Sequence, residues 1–237
     1  MATTSSTVTT LTTSTIVGWT TADVAALTQV QVAKLSTTQV GYLSSIQIGA
    51  LTSAGIPGLS LKGATDDQIG ALSSDQIRYL TVAQVAGIPS SSIDSLTTVS
   101  LSGLYTTQFK AITTAQITAL TSLQLDSLTS TQMASITTNN LGKISTANII
   151  TLSSSQLGSL TSASAAGFTS GQLTALSSDQ IAALSTKVLV ALSTAQIAGI
   201  EAVDIASGIS TGAIAALKTS QVSALSSAQT ISLSTDQ

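Results

Sequence analysis

Hydrophobic and polar positions recur along this chain with a period of eight residues. Residues 176–199 read LSSDQIAALSTKVLVALSTAQIAG, which is one octad written three times. With positions numbered 0 to 7, the consensus is L-[ST]-[ST]-x-Q-[IVL]-x-[AGS]. The same octad accounts for nearly the whole chain, so the sequence predicts a repeat protein.

Each octad carries the signals of a helix N-terminus. In the octad that opens at Leu176, Ser177 is the expected N-cap, and Gln180 lies three residues later, as a capping box requires. Leu176 and Ile181 are placed as the two partners of a hydrophobic staple. Positions 0 and 5 are therefore expected to be buried, with positions 2 and 6 facing outward.

One continuous helix does not fit this period. At about 100° per residue, an eight-residue repeat drifts about 80° around the helix in each unit, so the Leu and Ile positions would spiral around it. We therefore predict an all-α solenoid of very short helices, one per octad. Helices of one or two turns are unstable alone and depend on stacking against their neighbours.

The alternative fold is a β-solenoid with two octads per coil, since Thr, Ile and Val favour strands. In a strand, however, positions 0 and 5 would point to opposite faces. The octad is thus a poor pattern for a half-buried strand.

The whole chain is predicted to form a single repeat array. The first register covers residues 3–58, residues 59–63 form an irregular break, the second register covers 64–207, and shifted repeats occupy 208–237. The break follows Pro57 and Gly58, which interrupt a helix and permit a sharp turn. We expect a bend or a ligation point there.

Composition removes several classes of function. Charged residues make up 7% of the chain and the net charge is −3, which predicts no nucleic-acid surface. The chain has no His and no Cys, so we predict a protein that is not an enzyme, with no catalytic residue, no metal site and no cofactor. Ser and Thr interrupt every apolar run, which predicts no membrane span, and the N-terminus lacks the features of a cleaved signal peptide.

The octad array resembles the Ser/Thr-rich repeat regions of large bacterial secreted and surface proteins described as adhesin-like. This resemblance implies an extracellular or cell-surface location, reached without a cleaved N-terminal signal peptide. It also implies a structural role, as a self-assembling fibre, a surface-layer component or an adhesin stalk. The alternative function is a binding module for glycan or ice, through a Ser/Thr/Gln surface.

The expected partner is a second copy of the chain in a head-to-tail filament, with glycan or cell-surface contact as a further possibility. Uncapped repeat arrays expose at their ends the surfaces that interior units bury. The final octad stops at its Gln, which we interpret as either a fragment boundary or an open stacking end. Five residues near the two ends are predicted to form the assembly interface: Val8, Ile16, Trp19, Leu225 and Leu233.

Overall fold

A computed structural model describes residues 11–237, so Val8 lies outside the described residues. The chain groups into two compact units, Met1–Ser127 and Leu128–Gln237, and each is described by itself. The prediction of a single array remains a prediction.

Residues 11–237 are all-α, with no strand, which confirms the predicted solenoid of short helices and not the β alternative. The α-helices of the first unit are α1 (Thr13–Val17), α2 (Thr21–Ala25), α3 (Gln29–Val32), α4 (Thr37–Gly41), α5 (Ser45–Ala50), α6 (Asp66–Gly70), α7 (Ser74–Tyr79), α8 (Val82–Ala86), α9 (Thr98–Ser102), α10 (Thr106–Phe109), α11 (Thr114–Ala119) and α12 (Ser122–Asp126). Two octads of this unit form 3₁₀-helices instead, Ile56–Gly58 and Ile93–Ser95.

The second unit continues with one short helix per octad. Its helices are α13 (Ser130–Ala134), α14 (Thr138–Leu141), α15 (Thr146–Ile149), α16 (Ser154–Gly158), α17 (Ser162–Ala165), α18 (Ser170–Ala175), α19 (Ser178–Ala183), α20 (Thr186–Ala191), α21 (Thr194–Ala198), α22 (Ala202–Gly208), α23 (Thr211–Ala215), α24 (Thr219–Val222) and α25 (Ser227–Ser232).

The capping box predicted from the octad forms as expected. The hydroxyl of Ser177 accepts a hydrogen bond from the backbone N–H of Gln180 at 3.3 Å, and the Gln180 side chain accepts one from the backbone N–H of Ser177 at 3.0 Å. The octad then ends at Leu184, whose extended backbone begins the next unit. Position 1 is therefore the start of each helix, and position 0 is the corner before it.

The core consists of the aliphatic residues at positions 0 and 5, as predicted. Leu176 and Ile181 are both buried, whereas Ala182, at position 6, is exposed. The two phenylalanines, which replace aliphatic residues at these positions, are buried too: Phe109 and Phe168. Each octad thus contributes two apolar side chains and a short helix to the seam.

Helices pack on the helix three octads away. In the first unit α2 packs on α5, and in the second unit α16 packs on α19, which in turn packs on α22. Each coil therefore consists of three octads, one more than the β-solenoid alternative assumed. We use "coil" for any three consecutive octads.

The irregular unit 59–63 keeps its place in the core without forming a helix. Leu59 and Leu61 are buried, and Gly63 closes the unit with φ at +77°. No other described residue has a positive φ. The five-residue unit thus occupies one side of a coil and makes its corner with a left-handed glycine.

Candidate functional site

The most unusual feature of the interior is the row of buried glutamines at position 4. Gln108 shows the arrangement in the first unit. Its Oε1 accepts from the N–H of Tyr105 at 2.8 Å, and its Nε2 donates to the carbonyls of Ile77 at 2.9 Å and Leu80 at 2.6 Å. One amide group therefore joins its own helix start to the backbone of an earlier coil.

Gln172 makes the same three contacts in the second unit. Its Oε1 accepts from the N–H of Thr169 at 2.8 Å, and its Nε2 donates to the carbonyls of Leu141 at 2.8 Å and Ile144 at 2.7 Å. The acceptors lie 31 and 28 residues earlier. They are position 5 of one octad and position 0 of the next, in the coil before. We call this set of three contacts a rung and the series of position-4 glutamines the glutamine ladder.

The ladder satisfies backbone groups at both ends of the short helices. A helix leaves N–H groups unpaired at its start and carbonyls unpaired at its end. Gln108 and Gln172 each accept from the N-cap N–H of their own helix and donate to the last carbonyls of a helix in the preceding coil. The described buried side-chain nitrogen and oxygen atoms all have hydrogen-bond partners.

The ladder continues through both changes of register. Across the five-residue unit, Gln76 donates to the carbonyls of Ile48 and Leu51, which lie 28 and 25 residues earlier instead of 31 and 28. Across the one-residue insertion near Gly208, Gln221 donates to Leu189 and Leu192, 32 and 29 residues earlier. Residues 59–63 therefore interrupt the sequence period but not the hydrogen bonding between coils.

Some octads replace the ladder glutamine and change the rung. Ser100 still reaches the preceding coil, since its hydroxyl donates to the carbonyl of Leu72 at 2.6 Å. Asp204 is buried and accepts a hydrogen bond from the hydroxyl of Ser178, which lies at position 2 of an earlier octad. Val188 and Ala213, also at position 4, have no polar side-chain atom.

Asp23 forms a capping box within its own octad. One carboxylate oxygen accepts from the hydroxyl of Thr20 at 2.6 Å and from its backbone N–H at 2.9 Å. The hydrogen bond from the Thr20 hydroxyl, and to a smaller extent the one from its backbone N–H, hold the pKa of Asp23 below its ordinary value. Both bonds stabilise the ionised form of the carboxyl group.

The predicted interface residues occupy different environments. Ile16 is fully buried and Trp19 is half-buried; the Nε2 of Gln47 donates to the carbonyls of both, at 3.1 and 2.8 Å, so one rung brings them together. Leu225 and Leu233 are half-buried, unlike the buried position-0 leucines of interior octads. Among the described interface residues, only Ile16 is therefore fully enclosed, while Trp19, Leu225 and Leu233 are each partly uncovered.

Two further apolar residues lie near Leu225 and Leu233 in sequence and are more exposed. Val222 is 48% exposed and Ile231 is 84% exposed. The exposure of Ile231 could have been predicted from the sequence. Its octad has Thr230 at position 5, which is normally apolar and buried, and the isoleucine at position 6, which normally faces outward. We call Val222, Leu225, Ile231 and Leu233 the terminal apolar surface.

The described residues contain no cluster of three or more His, Cys, Asp or Glu side chains placed to hold a metal ion. None of the helices in residues 11–237 has the length and apolar character needed to cross a membrane. Arg78 and Asp75 form an exposed ion pair at 3.6 Å.

Residues 21–53 match the ALTTAQ repeat. The six letters of that name correspond to positions 7 to 4 of successive octads, as in the stretch ALSTAQ that ends at Gln196, so the last letter of an ALTTAQ repeat is the ladder glutamine. The match agrees with the Ser/Thr-rich octad array expected from the sequence. No curated protein matches the chain.

Proposed function

We propose that this chain is a non-enzymatic structural repeat protein, a module of an extracellular fibre, surface layer or adhesin stalk. The observation that carries the proposal is the glutamine ladder. The polar side chain at position 4, which is buried in most octads, is directed at the backbone of the preceding coil. A repeat array whose coils are joined by such hydrogen bonds suits a spacer, that is, a protein that keeps two other components at a fixed distance.

The composition supports the absence of catalysis in this proposal. The chain lacks His and Cys, the usual base and the thiolate nucleophile of enzymes. The repeated Ser and Thr at position 1 act as helix caps, as Ser193 does when its hydroxyl accepts from the N–H of Gln196 at 3.2 Å. Such a hydroxyl serves the fold as a hydrogen-bond acceptor at a helix N-terminus.

Location at the cell surface is part of the same proposal and rests on the resemblance to adhesin-like repeat regions. The low charge of the chain is consistent with a spacer that avoids strong electrostatic contacts.

Self-association is the second part of the proposal and is supported by the terminal apolar surface. Ile231 and Val222 are 84% and 48% exposed, and apolar side chains of this kind are the ones that a contact between subunits covers at its centre. We infer that a second copy covers this surface, in a head-to-tail contact that gives an open filament when it does not close into a ring.

Electron microscopy and sedimentation of the purified chain test this role. We expect particles whose length grows with protein concentration by addition of whole subunits. The association is expected to persist at high salt, because the surface is apolar and not charged. Monodisperse single chains at every concentration and salt condition would contradict self-association.

The alternative function, binding glycan or ice through a Ser/Thr/Gln surface, has less support. Ladder glutamines such as Gln108 and Gln172 are buried, so such a surface would consist mainly of Ser and Thr. Some position-2 hydroxyls are engaged between coils: Thr138 donates to the carbonyl of Ala163 at 3.0 Å. A thermal hysteresis assay and a glycan array would detect this activity directly.

A further inference from the structure

One side of the first unit carries exposed apolar residues in three consecutive coils. That side is built by α7, α9 and α12, since α7 packs on α9 and α9 packs on α12. Tyr79, Val99 and Leu123 belong to these helices, one to each, and are 51%, 66% and 73% exposed. Tyr105, at the corner that follows α9, is 58% exposed. Single exposed apolar residues are normal on a protein surface, whereas a row of them marks a contact site.

The row follows from the octad. Val99 and Leu123 both occupy position 3 and are 24 residues apart, which is the length of one coil. They therefore lie at equivalent places in successive coils. Ile46 of α5 also occupies position 3 and is 72% exposed, but α2 and α6, which pack on α5, have no exposed large apolar side chain. Ile46 is thus a single exposed residue and not part of a row.

Opposite charges lie at the two ends of this side. Arg78 of α7 and Asp126 of α12 both occupy position 6 and are exposed, and Ser102 of α9 holds that position in the coil between them. Arg78 already pairs with Asp75 of its own helix, but an exposed ion pair of this kind contributes little and is easily exchanged. We give the name lateral surface to Arg78, Tyr79, Val99, Leu123 and Asp126.

The lateral surface is complementary to itself. A two-fold contact brings the same surface of both copies together, so that residue i meets residue j and j meets i. If the axis passes through α9, across the stack of coils, Val99 meets Val99 and each α7 lies over the partner copy's α12. Arg78 then opposes Asp126 at both ends of the contact. Apolar side chains at the centre and opposite charges at the rim are the usual arrangement of an interface.

The area of the row fits a contact of ordinary size. Tyr79, Val99, Tyr105 and Leu123 together expose on the order of 400 Å² of apolar surface. A stable interface buries about 800 Å² on each partner, of which somewhat more than half is apolar. The row therefore supplies the apolar part of one such interface, and the Ser and Thr residues around it supply a polar rim.

We propose that the lateral surface binds the lateral surface of a second copy of the chain, in an antiparallel two-fold contact. This contact joins chains side by side, whereas the terminal apolar surface joins them end to end. It is therefore separate from the head-to-tail association proposed above. Chains that elongate become paired fibres, and chains that cannot elongate remain dimers.

Sedimentation equilibrium tests the proposal on the full chain carrying Leu225→Lys and Leu233→Lys, which we call the end-blocked chain. We expect it to form a dimer that dissociates on dilution. Leu123→Ser in the end-blocked chain is expected to raise the dissociation constant at least about tenfold, because each dimer loses two apolar side chains from its interface. Ile46→Ser is the matched control, with the same octad position and the same exposure, and should leave the dissociation constant unchanged.

A charge exchange tests the antiparallel arrangement. Arg78→Asp places two acidic groups opposite each other at both ends of the contact, and Asp126→Arg places two basic groups there. We expect each variant of the end-blocked chain to dimerise at least about tenfold more weakly by itself. An equimolar mixture of the two variants should recover the dimer, because opposite charges then meet at both ends. Circular dichroism checks that every variant keeps its helices.

Three results would overturn the proposal. An end-blocked chain that is monomeric at every concentration would mean that a different partner covers this surface. Equal effects of Leu123→Ser and Ile46→Ser would place the contact elsewhere, and a mixture that fails to recover the dimer would exclude the antiparallel arrangement. Absence of filaments in the unmodified chain would contradict the head-to-tail contact alone, because the dimer is measured where elongation is blocked.

Discussion

At the scale of single residues, glutamine at position 4 combines two roles that are usually separate. Its carbonyl oxygen completes a capping box, and its amino group reaches a neighbouring coil. Gln180 does both, accepting from Ser177 and donating to the carbonyls of Ile150 and Leu152 at 2.9 and 2.8 Å. A glutamate could perform the first role, and no other side chain of this length performs both.

Gln180→Ala is expected to destabilise the second unit by about 1–3 kcal/mol, because the N–H of Ser177 and the carbonyl of Leu152 lose their partner in a buried setting. Urea unfolding measures the loss. Hydrogen exchange should quicken at the Ser177 amide, which the side chain protects.

Gln180→Glu is the matched control, since it keeps the acceptor for Ser177 and removes the donors to Ile150 and Leu152. We expect it to retain protection of the Ser177 amide and still to lower stability. If alanine at position 180 changes neither stability nor exchange, the rung contributes nothing to the fold.

Asp23 gives a pH-dependent prediction at the same scale. Its hydrogen bonds from Thr20 lower its pKa in the folded chain, so they add stability above its ordinary pKa of about 3.9, and that contribution is lost as the pH falls through the lower, folded pKa. Carbon-detected NMR titration should place the Asp23 midpoint below that of Asp23 in Thr20→Val. An identical midpoint in the two proteins would contradict the capping role of Thr20.

At the scale of the element, the sequence allowed the helix and its core to be predicted, but not the coil. The N-cap at Ser177 and the burial of Leu176 and Ile181 follow from spacing within eight residues. The number of octads in a coil depends on contacts some 28 residues apart, about which a local pattern carries no information. The reach of Gln180 to Ile150 was therefore beyond prediction.

The same limit applies where the sequence period fails. Counting residues identifies 59–63 as a break, because five residues replace eight. It does not show that this unit still forms one side of a coil, since Leu59 and Leu61 both turn inward and Gly63 makes the corner.

Gly63→Ala tests the corner of the short unit. A left-handed backbone costs an L-residue about 1–2 kcal/mol, so we expect a loss of that order in urea unfolding. Neither Gly63 nor Gly41, which lies in α4, has an atom within 4 Å of an added Cβ, so space does not distinguish them.

Gly41→Ala is the matched control for that experiment. Its backbone is helical, so alanine should leave stability unchanged or raise it slightly. Equal effects of the two substitutions would show that the positive φ at Gly63 is not required.

At the scale of the whole molecule, the proposed assembly depends on the terminal apolar surface. Interior octads bury their position-0 leucine, as at Leu176, whereas Leu225 and Leu233 are only half-covered and Ile231 is 84% exposed. Covering such side chains removes apolar surface from water, at about 25 cal/mol for each Å². A second copy that stacks on this surface gains that free energy without any change in the interior of either chain.

Replacing both Leu225 and Leu233 with Lys is therefore expected to abolish elongation while the rest of the chain stays folded, because each contact would have to bury two charges. Circular dichroism checks the fold, and electron microscopy measures the length of the particles. Ala228→Lys is the control, since Ala228 is exposed in the octad between them and lies at position 3. Filaments of unchanged length in the double variant would place the contact along the sides of the array, and loss of filaments in the control would show that added charge anywhere in this octad prevents assembly.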